Sequence, residues 1–378
     1  MIPSTLITSG YSTQKNIGLD KENFTGSFSY NWTPKKNNTA RFDLFNVQFV
    51  RNLNPKNYFN VYTSSYNALN EFAKNPNYNV NQTYFDSENN LIIENGTNGF
   101  IQDVLGSSPT ITTSTSDYSA IKSIEERRIR LTENDFILAT NFSFSRTTKK
   151  DISDNNFYLF KTKIESAGSI LSLFANATKL NKTTNDRYKI FNLEYSEYIK
   201  TEFDFIKLWD LSREKVIAFR SFFGIAIPFG NSKNIPFSRS YYSGGSNDNR
   251  GWQPYSLGPG STGGVNDFNE ANMKIALSTE FRFKILGDLK GALFADAGNV
   301  WNVLDNTEDS KAKFNGINDL KSIALGSGFG LRYDLSFFVI RFDLGFKTYN
   351  PAYESGSRWL KDYNFGRSVL NFGINYPF

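Results

Sequence analysis

The sequence predicts an all-β protein, a transmembrane antiparallel β-barrel of about twelve strands. Three observations carry the prediction. Segment after segment alternates apolar and polar residues with period two, the connections alternate between short and long, and aromatic residues make up 16% of 378 residues, with Tyr and Trp recurring near strand ends.

The first clear strand is residues 23–32, where Phe24, Phe28, Tyr30 and Trp32 share one face and Asn23, Thr25, Ser27, Ser29 and Asn31 the other. Phe136, Leu138, Thr140, Phe142 and Phe144 oppose Asn141, Ser143 and Ser145 in the same way. The pattern recurs at Phe191, Leu193 and Tyr195 against Asn192, Glu194 and Ser196, and at Ile217, Phe219, Phe223, Ile225 and Ile227 against Ala218, Arg220, Gly224 and Ala226. Toward the C-terminus, Met273, Ile275, Leu277, Phe281 and Phe283 face away from Lys274, Ser278, Glu280 and Arg282. Ile323, Leu325, Phe329, Leu331 and Tyr333 oppose Gly326, Gly328, Gly330 and Arg332, while Phe338, Ile340, Phe342, Leu344 and Phe346 oppose Arg341, Asp343, Gly345 and Lys347. The last strand sets Leu370, Phe372, Ile374, Tyr376 and Phe378 against Asn371, Gly373 and Asn375.

A soluble β-sandwich also makes alternating strands, but its apolar face meets a second sheet. Here the polar face includes paired charges such as Arg341 and Asp343, which a wet lumen accepts and a dry core does not. Connections near 33–38, 148–155, 209–214, 284–288 and 334–336 are short, and those near 51–133, 228–268, 301–321 and 348–366 are long, the pattern of periplasmic turns and extracellular loops. Trp32, Trp209, Trp301 and Tyr349 are placed to form interfacial girdles. Within 51–133, residues 58–73 are expected to form a short helix, and residues 75–119, rich in Asn, Ser, Thr and Gly, read as a long, partly mobile extracellular loop.

Composition excludes much chemistry. With no His and no Cys, the chain has no Ser-His-Asp or Cys-His site, no Cys or His zinc site and no disulfide. No catalytic residue, metal ligand or cofactor is assigned. The net charge is 42 − 37 = +5, but the basic residues are dispersed, which argues against nucleic acid. No window approaches the apolar length of a spanning helix. Residues 1–8 lack the pattern of a secretory leader, leaving two readings: a chain that stays inside, or one whose true N-terminus is missing.

The stretch 234–262 is unusually specified for a loop. Gly244 and Gly245 permit positive φ, Pro236, Pro254 and Pro259 fix the backbone, and Arg250 stands in the middle before Gly251 and Trp252. An ordinary Gly-rich loop with an exposed Arg is the plain alternative. The segment Tyr242-Ser-Gly-Gly-Ser-Asn-Asp-Asn-Arg250-Gly251-Trp252 resembles the Arg-Gly-aromatic loop of BamA/TamA-type outer-membrane assembly barrels, the bacterial surface antigen family. Phe294-Ala-Asp296-Ala-Gly298-Asn-Val-Trp301 resembles the family's Phe-x-Asp-x-Gly strand, and Gly373-Ile-Asn-Tyr376-Pro-Phe378 its last strand. Ser256-Leu-Gly-Pro-Gly260 is similar to the TamA-related variant of Bacteroidetes. These motifs cover 236–378; residues 1–230 match in rhythm alone. Asn249 departs from the pattern, which has an aliphatic residue before the Arg.

The resemblance implies that the loop folds back into the lumen and that its Arg contacts acids on the wall. Strand parity independently turns Glu280 and Asp296 toward the lumen, so Arg250 is expected to pair with both; ordinary lumen-lining carboxylates are the alternative. Phe372, Gly373, Tyr376 and Phe378 are expected to form a β-signal at the seam, with the aromatic residues outward, and Gly366 and Gly373 to weaken pairing there. A weak seam admits a further strand by β-augmentation.

The function implied is insertion, assembly or translocation of outer-membrane proteins, without bond chemistry. Its partners would be outer-membrane lipids, client β-barrel or surface proteins and periplasmic or lipoprotein subunits. A porin or substrate-specific channel is the alternative, since a charged lumen serves it equally, and an adhesive surface barrel using 51–130 is a third. Family barrels usually have sixteen strands preceded by POTRA domains. About seven strands precede the Arg-Gly-Trp loop here and five follow it, so 1–378 reads as a barrel domain without POTRA domains or first strands, or as a true twelve-stranded barrel.

Overall fold

The computed structural model describes residues 3–14, 21–151, 154–183, 186–190, 193–264, 269–335 and 338–378. Twelve strands form one sheet in which every neighbour in sequence is the neighbour in space. They are β1 (Ser4–Gln14), β2 (Lys21–Trp32), β3 (Asn38–Asn52), β4 (Asp135–Thr147), β5 (Tyr158–Ala167), β6 (Tyr198–Asp210), β7 (Lys215–Pro228), β8 (Met273–Leu286), β9 (Leu289–Trp301), β10 (Ala324–Asp334), β11 (Val339–Tyr349) and β12 (Val369–Ile374). All pairings are antiparallel, and seven strands precede the loop that carries Arg250. Among the described residues no ladder joins β1 to β12, which are the two edges.

The sheet curls. Phe378, which follows β12, packs on Ile206, Leu208, Val216 and Ala218 of the inner faces of β6 and β7, half the sheet away. That contact requires a concave interior. On the convex side Phe24, Phe28, Ile164, Ile199, Leu293, Phe329, Phe342 and Leu370 stand exposed in a continuous band, which only a hydrocarbon surround stabilises. A bulge in β3 between Asp43 and Asn46 turns both Leu44 and Phe45 outward. The inner column is polar: Lys161 faces Asp204, Lys163 faces Glu202 and Glu165 faces Lys200 across β5 and β6.

Four sequence expectations change. The β3–β4 connection is a folded helical cap rather than a mobile loop: α1 (Tyr58–Val61), α2 (Thr63–Ala73), α3 (Asn95–Leu105) and α4 (Thr115–Thr132) bury Leu69, Phe100, Ile101 and Ile121 in a core of their own. Composition hid this, because polar residues dilute the helical spacing of Phe100, Ile101 and Val104 and of Ile121 and Ile124. The cap ties itself to other loops through Arg127 and Arg130, which meet Glu270, and Lys122, which meets Glu308.

The alternation at 191–196 is not a wall strand. Phe191 and Asn192 lie outside the described residues, Leu193–Glu194 pairs with Lys189–Ile190 in a small sheet of its own, and Tyr195, which makes a single bridge to Phe136, is buried with its hydroxyl 2.8 Å from that of Ser172. Trp301 is no girdle residue; it is fully buried, edge-on to Phe314, with its indole N–H donating to Ser322 Oγ at 2.8 Å. Trp209 is exposed at a short-turn end, as a girdle residue would be, and Tyr349 is covered by the exposed Trp359.

The last strand ends at Ile374, and Asn375 takes φ 66°. That left-handed residue reverses the alternation, so Tyr376 and Phe378 turn inward: the Arg282 guanidinium lies 4.1 Å from the Tyr376 ring centroid and 5.7 Å from that of Phe378. Phe372 keeps the outward place expected of it. Gly373 pairs in register with Arg341, and a methyl there would meet that residue's guanidinium at 2.5 Å, so the glycine makes room for it. Gly366 lies in the 3-10 turn Phe365–Arg367 before the strand.

Candidate functional site: an arginine loop locked in the lumen

The β7–β8 loop leaves the long-loop end and returns into the interior. Its bend is held locally. Asp248 Oδ2 accepts from Gly244 N–H at 2.7 Å and Ser243 Oγ at 2.8 Å, and Gly245 N–H donates to the Trp252 carbonyl at 2.8 Å. Gly244 and Gly245 have φ of 97° and 103°, conformations that side chains rarely adopt. Trp252 is buried with Leu257 and Ala324, with Lys347 Nζ 5.7 Å from its ring centroid. Asn249, in place of an aliphatic residue, is equally buried and donates to the Ala324 carbonyl at 3.3 Å.

At the tip, Arg250 is 1% exposed. Its Nε and Nη2 donate to the two oxygens of Asp296 at 2.8 and 2.9 Å, and its backbone N–H donates to the same carboxylate at 3.1 Å. Nη1 donates to Glu280 Oε2 at 2.6 Å and reaches Asp343 Oδ2 at 3.4 Å. The guanidinium carbon stands 3.6 Å from the Phe294 ring centroid. Phe294 and Asp296 occupy alternate positions on β9, so one strand face supplies both the ring beneath the cation and the fork that receives it.

Sequence reasoning left several partners unassigned. Arg332 bonds Glu280 at 3.1 Å and Asp343 at 2.5 Å, Arg341 bonds Asp343 at 3.0 Å, and Arg282 bonds Glu280 at 2.8 Å. The cluster holds four arginines and three carboxylates, spread over the loop and over β8, β9, β10 and β11. Arg341 also clasps the loop, donating to the Ser246 carbonyl at 2.6 Å and Asn247 Oδ1 at 2.7 Å. Asn371 of β12 donates to the Arg250 carbonyl at 3.0 Å. Parity put all of these on the inner face; only the fold says which reach the tip.

The loop lies against a wall stripped of side chains. A methyl on Gly345 would fall 2.1 Å from the Arg250 carbonyl, and one on Gly326 2.3 Å from Asn249 Oδ1. Gly251 in turn brings its Cα so close that a methyl would meet the Phe346 carbonyl at 2.9 Å. These glycines let backbone meet backbone. Along β1 to β7 the interior keeps a cavity of about 530 Å³, lined by Arg41, Lys161, Lys163, Glu202 and Asp204 among others and by no residue of the arginine loop. Of the seam residues, Phe372 and Gly373 lie on β12 and Tyr376 and Phe378 in the interior, none of them in contact with Arg250 through a described bond.

A lipid-facing antiparallel barrel whose interior is entered by an arginine-tipped loop is an outer-membrane barrel of the surface-antigen kind. Residues 6–378 match the Omp85 superfamily domain, and the chain belongs to that superfamily. It is similar to the outer membrane protein assembly factor BamA of Neisseria meningitidis serogroup B, at 35% identity over 89 residues, 21% of this chain and 11% of that protein. Among solved structures, BamA from Haemophilus ducreyi lacking POTRA domains 1–3 matches with a TM-score of 0.53 at 12% identity, over 98% of this chain and 57% of that one. CdiB from Acinetobacter baumannii matches 98% of this chain and 53% of its own at 11% identity, with a TM-score of 0.36, too low to argue from. The chain thus spans little more than half of the solved relatives and a small part of the curated one.

Proposed function

We propose that this barrel inserts or translocates outer-membrane proteins, offering its unpaired edge strands as a template on which client β-strands form. The observation that carries the reading is the burial of Arg250 among Asp296, Glu280 and Asp343, which fixes a loop inside the bore where a porin would keep an open constriction. The free edges of β1 and β12 support it further, since each presents a row of backbone groups that a client strand can complete. No bond is made or broken; the work is strand pairing at a lipid-facing edge. Client outer-membrane proteins, and periplasmic or lipoprotein subunits that deliver them, are the partners this mechanism calls for. The Ser256–Gly260 sequence supports a TamA-like variant of Bacteroidetes type.

The test is reconstitution of the full chain in lipid vesicles with an unfolded client barrel, scoring protease-resistant client against time. Because the chain has no native cysteine, Ile7→Cys and Leu370→Cys can be bridged by a reducible thiol crosslinker that fastens β1 to β12. The proposal expects faster client folding than in empty vesicles, abolished by the bridge and restored by reduction. Equal folding with the bridge closed, or steady single-channel conductance without any effect on clients, would replace it with the channel reading.

A further inference from the structure

Helix α5 (Ser169–Ala177), in the β5–β6 connection, is built inside out. Its exposed stripe is Ile170, Leu173, Phe174 and Ala177, spaced i, i+3, i+4 and i+7, with Leu173 72% and Phe174 56% exposed. The opposite side is the one held to the protein: half-buried Ser172 meets the Tyr195 hydroxyl at 2.8 Å, and Asn176, at the exposed end of the helix, accepts from the Tyr188 hydroxyl at 2.8 Å. Ala175, between them, is fully buried. The helix is fixed at its start, where Gly168 N–H donates to the Leu138 carbonyl at 2.9 Å and the Ser166 and Ser169 hydroxyls meet at 2.9 Å. Nothing about this docking is loose, yet it holds an apolar stripe away from the protein.

Two observations say what covers that stripe. It continues the lipid-facing band: Ile164, exposed on the outer face of β5, lies three residues before that strand ends, and Ile199, exposed on β6, pairs with Ser166. The segment that follows is basic. Residues 169–190 carry Lys179, Lys182, Arg187 and Lys189 against Asp186, a net charge of 4 − 1 = +3. Lys182 and Arg187 are engaged with Asp186 and Glu194, whereas Lys179 and Lys189 stand exposed. An apolar helix stripe followed by exposed lysines matches an interface of acyl chains below and phosphorylated headgroups above.

We infer that α5 is a membrane-seated helix, with Leu173 and Phe174 in the acyl region of the outer leaflet and Lys179 and Lys189 on anionic lipid headgroups. β5 and β6 are the fifth and sixth of twelve strands, so the helix pins the wall opposite the two free edges. Movement at the edges then occurs against a side of the barrel that the bilayer holds still.

The absence of native cysteine makes the test direct. Leu173→Cys in the full chain is labelled with an environment-sensitive fluorophore and reconstituted in vesicles of phosphatidylcholine and phosphatidylglycerol, part of the lipid bearing brominated acyl chains. Ile164→Cys in the band and Ser87→Cys on the cap are the references. The expected result is a blue-shifted emission quenched by bromine as strongly as at position 164 and shielded from aqueous iodide. Emission and iodide access like those at position 87 would overturn the inference, as would shielding that appears only at high protein-to-lipid ratio, the sign of a second copy as occupant. If the label disturbs the helix, Ile170→Cys repeats the measurement on the same stripe. For the headgroup contact, Lys179→Glu with Lys189→Glu is expected to reduce bromine quenching in the anionic vesicles and leave it unchanged in pure phosphatidylcholine; an equal change in both would remove the charge component.

Discussion

The side-chain amide of Asn371, on the last strand, donates to the backbone carbonyl of Arg250 at 3.0 Å, across a sequence separation of 121 residues. The tip of the lumen loop is therefore bonded to one free edge of the sheet as well as to the wall behind it. Replacing Asn371 by Ala leaves a buried carbonyl without its donor, at a cost of about 1–3 kcal/mol. Hydrogen exchange is expected to quicken at Arg250–Trp252 and in β12 together; acceleration confined to β12 would show that the contact is incidental.

Arg250→Ala is expected to be far more damaging. Asp296 has no other cationic partner among the described ion pairs, so the variant strands a buried carboxylate, a loss of about 3–5 kcal/mol. Arg250→Lys should recover little, because an ammonium cannot bond both oxygens of Asp296 and Glu280 at once. The temperature at which the barrel loses its compact mobility in detergent gels measures both, and a wild-type value for Arg250→Ala would refute the account.

Gly345→Ala pushes a methyl into the Arg250 carbonyl, and overpacking of this kind costs about 1–3 kcal/mol. Gly356→Ala meets nothing within 4 Å and serves as the neutral control. Protease cleavage after Arg250 is expected to rise in the first variant and not in the second.

The inward turn at Asn375 separates two aromatic residues that sequence parity places together. Phe378→Asp puts a carboxylate beside Arg282 in the interior, whereas Phe372→Asp puts one into hydrocarbon. The latter should block membrane integration of the chain, with a penalty of about 2–4 kcal/mol if the residue sits near the bilayer midplane, and the former should leave integration intact. Carbonate extraction of membranes distinguishes the two; similar loss from both would place Phe378 on the lipid side.

Acidity should tighten the cap. Glu126 on α4 and Asp305 on the β9–β10 loop both have carboxyls raised above their ordinary range, in each case by burial first, with Glu308 and Asp305 adding repulsion at Glu126 and with Lys122, Arg130 and Lys313 opposing it. A carboxyl raised in the folded state stabilises below its ordinary pKa, and that contribution is lost as pH rises through the raised value. Exchange in α4, corrected for intrinsic rate, is expected to slow as pH falls from neutrality toward the carboxylate range, and Glu126→Gln with Asp305→Asn should flatten the profile.

Much of the wall was legible because period two is a strong signal over ten or more residues, and because parity is a local property: Glu280 and Asp296 needed nothing but their own strands to be turned inward. The same argument failed at Phe378, where a single left-handed residue resets the parity without leaving a mark in the alternation. It failed at 191–196 because six residues are too few to separate a wall strand from a buried tyrosine beside a short hairpin. Arg332, Arg282 and Asn371 carried the correct face but no indication of height along the strand, which register alone supplies. The cap was hidden for a different reason, since its core residues are few, widely spaced and embedded in polar sequence.

That cap has a consequence for traffic. It is inserted between β3 and β4, yet its α4 arginines are bonded to Glu270 just before β8 and its core takes in Phe237 from the arginine loop, so it spans the mouth from one side to the other. A polypeptide arriving from the short-turn end finds a ceiling with its own hydrophobic centre, and lifting it means breaking buried ion pairs. For the proposed activity, passage along the axis is thereby the costly direction.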